Sequence, residues 1–210
     1  MVRYGSQILQ SLGFRAVTGL TRRMLRVLHD QFWDWRLGIR TMRSVAPIGG
    51  GAKAGDPTGY DVLWHVAQSL KPSDVVYDIG CGRGRACAVF ARSGATAIGI
   101  EIGAEAAAAA RANGVTVIEG DARTIDYPGA TVLWLYNPFG AEALRAVLRR
   151  AQAPRVLFHN ANAEHQAVLF AEGYAVTARF VRSGLLASGD DDYPVLHCAR
   201  AATPWTAVAA

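Results

Sequence analysis

At 210 residues, with 51% apolar and 19% charged residues, the chain can build one full hydrophobic core plus an appendage. It has no run of 18 apolar residues and no apolar h-region at its N-terminus, so neither a membrane-spanning helix nor a secretory signal is expected. The net charge of +5 is uneven: nine of 22 basic and two of 17 acidic residues lie in 1–55, giving that segment +7 and the remainder −2. Because the body is not basic, it does not suggest phosphate tracking, and a nucleic-acid partner is not expected.

Residues 1–46 are predicted to form a helical, basic N-terminal extension. Leu20, Met24, Leu28, Phe32 and Trp35 fall on one helical face, with Arg22, Arg23 and Arg26 largely off it. The expected arrangement packs that apolar stripe on the main domain and leaves an arginine face in water. A helix lying on a membrane surface or a partner is the alternative. Residues 47–60, with Gly49-Gly50-Gly51, read as a linker or lid, and 61–210 as the main domain. A helix is predicted over 61–70, with Thr58 or Asp61 able to cap it.

The chain then alternates strands and helices. Val75 to Ile79 reads as a strand, 86–93 as a helix, 96–101 as a strand and 103–113 as a helix stopped by Asn113-Gly114. A third strand is read over 115–122, ending in Gly120-Asp121-Ala122, and a fourth over 131–136. A helix over 141–151, a strand over 155–159 and a helix over 162–172 follow. Two last strands, 174–181 and 193–199, have no helix between them and should form an antiparallel hairpin. Alternation of this kind implies a parallel sheet with right-handed crossovers. Cys81, Cys87 and Cys198 read as reduced apolar fillers in a cytoplasmic protein; no metal-ligand spacing occurs.

The informative turn is Asp78-Ile79-Gly80-Cys81-Gly82-Arg83-Gly84. Alternate glycines let the backbone turn sharply and approach a ligand without a Cβ in the way. The helix behind them points its first N–H groups at the turn. The spacing departs from the dinucleotide pattern G-x-G-x-x-G, which disfavours a nicotinamide oxidoreductase. Asp78, beside the loop, would repel a pyrophosphate but suits an amine-bearing ligand. Glu101 ends the next strand 23 residues after Asp78, where an acid can grip a ribose diol. Asp121-Ala122, Asn137-Pro138-Phe139 and His159-Asn160 end the following strands on the same edge.

The D-x-G-x-G-x-G run with its downstream acids resembles the first motifs of class I S-adenosylmethionine (SAM)-dependent methyltransferases. The resemblance extends from Pro57 to Ala199. A nearer resemblance is to small bacterial methyltransferases of the DOT1-like group, through Trp35-Arg36-Leu37-Gly38-Ile39-Arg40-Thr41 and Pro57-Thr58-Gly59-Tyr60. It implies an α/β, Rossmann-like seven-stranded sheet in the order 3-2-1-4-5-7-6, the last strand antiparallel. It also implies SAM as cofactor. Asp78, Gly80, Cys81, Gly82 and Gly84 would hold its methionine and ribose end, with Thr58 and Tyr60 near the methionine. Glu101, with Ile102 beside it, would take the ribose, and Asp121 with Ala122 the adenine.

Asn137, Pro138 and Phe139 form the candidate acceptor site. In amino-methylating members of the wider family a related turn holds the target nitrogen; here the second proline is missing and the aromatic is shifted forward. The extension 1–46 is expected to roof this pocket. His159 is a candidate base, its ordinary pKa lying near ~6.5. His165 is expected on a helix surface. The implied activity is methyl transfer to an amine of a small molecule or a protein lysine. The alternatives are an O-methyltransferase and a catalytically silent SAM-binding partner subunit. The sequence assigns no oligomeric state.

Overall fold

The computed structural model describes residues 19–42, 57–136, 138–181 and 193–201, with helix backbone only over 19–23. Elements run in chain order as α1 (Gly19–Leu37), α2 (Tyr60–Ala67), β1 (Val75–Ile79), α3 (Arg85–Arg92), β2 (Thr96–Glu101), α4 (Ala104–Ala112), β3 (Thr116–Glu119) and β4 (Val132–Tyr136). Then come α5 (Ala141–Ala151), β5 (Arg155–His159), α6 (Ala163–Ala171), β6 (Tyr174–Phe180) and β7 (Val195–Arg200). Residues 47–56 of the linker expected over 47–60, and residues 1–18 and 43–46 of the extension, lie outside the described residues.

The strands form one sheet in the order β3-β2-β1-β4-β5-β7-β6, the expected topology. Pairs β1–β2, β1–β4, β2–β3 and β4–β5 are parallel, and β7 is antiparallel to both β5 and β6. The apolar runs of β1, β4 and β5 are buried on both faces, as central parallel strands require. Alternate residues serve opposite layers. Tyr77, Ile79, Leu133, Leu135, Val156 and Phe158 meet α5 and α6, whereas Val76, Val132, Trp134 and Leu157 meet α2 and α3.

Parallel register brings the strand ends to one edge. Ile79 lies beside Ile100 and Leu135, Glu101 beside Glu119, and Tyr136 beside His159. That edge carries the glycine turn and the predicted polar residues, the place where open α/β sheets bind ligands.

Helix α1 is turned opposite to expectation. Met24, Leu28, Phe32 and Trp35 are 59%, 59%, 50% and 73% exposed, so the apolar stripe faces water. The docked face instead carries Asp30, Trp33, Asp34 and Leu37. Trp33 packs on the rings of Tyr60 and Trp64, with centroids 6.2 and 5.0 Å away. Periodicity locates a stripe but does not say which face meets the body. Here a buried ion pair decides it.

Candidate active site

The glycine turn follows from backbone geometry. Gly80, Gly82 and Gly84 have φ of +74°, +54° and +83°, a region that side chains rarely tolerate. The amides of Gly80 and Cys81 both donate to the Ile100 carbonyl, at 2.9 and 3.0 Å, fastening the turn to β2. A Cβ on Gly80 would come within 3.2 Å of the Pro138 side chain. The turn after β4 therefore packs directly on the glycine loop. Asn137 itself lies outside the described residues.

Asp78 is buried at 4% exposure and accepts a hydrogen bond from the Cys87 thiol at 3.5 Å. Burial, with added repulsion from Glu101 and partial relief from Cys87, pushes its carboxyl up to about 7. Such a group gains most from a nearby cation. Burial likewise pushes the Cys81 and Cys87 thiols up, as expected of inert fillers.

Glu101 already has work within the protein. One oxygen accepts the Gly82 amide and the other the Gly103 amide, both at 2.8 Å, joining the glycine turn to the start of α4. An ionised carboxylate offers about four acceptor sites, so it retains capacity for a diol. Ile102 beside it is 43% exposed, an apolar surface at the mouth of the edge. Asp121 is held by Arg123, whose Nε lies 2.9 Å from both carboxylate oxygens, and this pair keeps its pKa low. The Ala122 carbonyl accepts the Tyr127 hydroxyl.

Thr58 and Tyr60 join a network that sequence reasoning missed. Its centre is Arg85, the first residue of α3 and only 3% exposed. Arg85 Nη1 donates to Asp30 at 2.6 Å and to the Thr58 carbonyl at 3.1 Å, and Nε donates to Thr41 Oγ1 at 2.6 Å. Thr41 in turn donates to Asp34 through its hydroxyl and its backbone amide. The Tyr60 hydroxyl also donates to Asp34, and the guanidinium lies 4.6 Å from the Tyr60 ring centre. Burial and then Asp34 push the Tyr60 phenol well above its ordinary pKa. The Thr41 and Tyr60 motifs thus meet at the helix behind the glycine loop. A clue existed: Asp30 and Asp34, one helical turn apart and opposite the stripe, are the only acids in residues 1–55.

Just beyond α1, Arg83 donates to the Arg40 carbonyl at 3.3 Å, and the Arg40 amide donates to Asn113 at 3.0 Å. The described hydrogen bonds of α1 and residues 38–42 to the body reach Tyr60, Arg83, Arg85 and Asn113.

His159 is buried, stacks on Tyr136 with centroids 4.4 Å apart, and has Nε2 3.1 Å from the Tyr193 carbonyl. Since a carbonyl only accepts, that nitrogen carries the proton. His165 is 1% exposed, correcting the expectation of a surface residue. It forms a capping box with Asn162, stacks on Phe158, and reaches the Phe139 carbonyl at 3.0 Å. The Asn162-x-x-His165 spacing was the available signal.

Residues 76–157 match the methyltransferase domain family. No curated protein matches in sequence. Among solved structures, a putative RNA methyltransferase from Pyrococcus horikoshii is similar with TM-score 0.61 and 17% identity, over 83% of this chain and 98% of that one. Magnesium protoporphyrin IX methyltransferase from Synechocystis, with bound SAM, is similar with TM-score 0.56 and 16% identity, over 89% and 99%. A Bacillus subtilis tRNA methyltransferase has TM-score 0.54 and 20% identity, over 66% and 65%. Identities this low speak for the fold. The family match, with the sheet order, supports a class I SAM-dependent methyltransferase with SAM as its cofactor.

Proposed function

We propose that the chain transfers the methyl group of SAM to an amine nitrogen, on a small molecule or a protein lysine. The observation that supports this most is the packing of Pro138 against Gly80, beside the proposed cofactor loop and one residue after Asn137 in the chain. His165 holds the Phe139 carbonyl, so the turn is fixed from behind. An asparagine oxygen beside a methyl donor orients an N–H acceptor, and catalysis is then mainly proximity. The His159 ring nitrogen that meets Tyr193 is a donor there.

The residues fit SAM. Three glycines with positive φ shape the turn, and a Cβ on Gly84 would come within 2.7 Å of the Val115 side chain. Asp78 suits the amino group of the methionine moiety, Glu101 the ribose and Ile102 one face of the adenine, with Asp121 and Ala122 at its rim. SAM supplies an activated methyl, and the chain supplies binding and orientation. Thr58 and Tyr60 act at one remove, through Arg85. The nearer likeness to the DOT1-like group is part of the same proposal, carried by the Thr41 and Tyr60 motifs.

The test is an assay with methyl-labelled SAM against panels of amines, lysine peptides and hydroxyl compounds. Label on amines alone is expected. Label on hydroxyl compounds alone would overturn the acceptor class. SAM binding without turnover on any acceptor would instead make the chain a cofactor-binding subunit.

A further inference from the structure

The outward face of α1 is unlike the rest of the molecule. Met24, Val27, Leu28, Phe32 and Trp35 are all exposed and lie on one arc, with Phe32 and Trp35 rings 6.1 Å apart. The two acids of residues 1–55, Asp30 and Asp34, both point the other way, into Arg85. Among the described residues, the outer side of α1 therefore carries apolar groups with Arg36 and, just beyond the helix, Arg40 exposed beside them, in a segment that holds nine basic residues in sequence. Both acids of the segment are thus turned away from this face and paired with Arg85.

We infer that this face docks the protein on the surface of an anionic lipid bilayer. An apolar arc carrying Trp, Phe, Leu and Met beside arginines suits the boundary between headgroups and acyl chains. Negative headgroups attract the basic segment and the aromatics enter the interface. A second copy of the chain fits less well, because it would bring two +7 segments together. Nucleic acid would leave the apolar arc uncovered. Among the described residues no helix is long and apolar enough to cross a membrane, so the contact is interfacial. It is independent of which acceptor is methylated.

Flotation of the full chain with phosphatidylcholine vesicles, with and without phosphatidylglycerol, tests the inference. Wild type should float with the anionic vesicles only. Phe32→Ala combined with Trp35→Ala should weaken that binding at least ~10-fold, since both truncations remove apolar surface from the lipid phase. Thermal unfolding should hardly move, because both side chains are at least half exposed. Leu28→Glu serves as a second variant with the same expected loss. Failure of wild type to float, equal flotation with both vesicles, or undiminished binding by the variants would overturn it. A concentration-dependent dimer that the double variant abolishes would assign the face to a second copy and overturn the lipid reading.

Discussion

The two sides of the carboxyl edge are built on different terms. On the side of β1 and β2, polar side chains are already engaged by the protein: Glu101 by two amides, Asp121 by Arg123, Tyr60 by Asp34. On the side of β4 and β5, the pieces are a proline, a carbonyl held by His165 and a histidine stacked on Tyr136. One side is a preorganised cradle and the other a shaped turn. Substitutions should therefore separate cofactor affinity from turnover.

The largest effect is expected at Arg85. Replacing it with alanine strands Asp30 and Asp34 without their buried cation, a loss of about 3–5 kcal/mol. Urea unfolding should show it as a lower midpoint, and the cofactor side should loosen with it. A midpoint shift under about 1 kcal/mol, well below that range, would mean the network is dispensable.

Asn137→Ala should act on the other side only. Turnover is expected to fall about 100-fold, the scale of a misplaced reactant, with SAM affinity within a few-fold. Initial rates and calorimetric titration on one preparation distinguish the two. A parallel drop in affinity would place the residue with the donor.

Glu101→Ala should weaken SAM by about 1.5–3 kcal/mol, the worth of a hydrogen bond to a charged partner. An analogue without ribose hydroxyls should show a smaller loss. Because Glu101 also ties the Gly82 amide, some loss should persist for that analogue. No loss at all for it would show that the loop holds its shape unaided.

Asp78 gives the mildest test. Its folded pKa of about 7 is raised above the unfolded carboxylate value of about 3.9. Between those values the folded state holds the proton more tightly, so the ligand-free protein loses stability as pH rises from about 4 to 7. A cation bound beside Asp78 favours its ionised form. SAM affinity should therefore climb up to about tenfold per pH unit below pH 7 and level off above it, with proton release on binding. Asp78→Asn should flatten the profile, and a flat wild-type profile would remove the ammonium contact.

Every described strand was legible, all but β3 within a residue or two, because the apolar runs are short, continuous and punctuated by glycine or acid; β3 stops at Glu119, three residues before the expected Ala122. The glycine turn was legible for the same reason: alternate glycines have few other uses. Its surroundings were not. Arg85 looked like one charge among many, since its burial depends on two acids more than 50 positions away. The stripe on α1 was real but its direction was hidden, because a helix with an apolar face and an acidic face can dock by either. His165 needed the tertiary contact with Phe139 to be seen as interior.

The guanidinium at the start of α3 also bears on heredity and engineering. A chain whose glycine loop is braced from a helix more than 40 residues upstream is not a core with a detachable leader. Grafting the loop into another scaffold would bring a buried cation without its acids. Any trimming, fusion or domain swap that separates residues 30–41 from Arg85 divides a single structural unit, so workable boundaries lie upstream of Asp30.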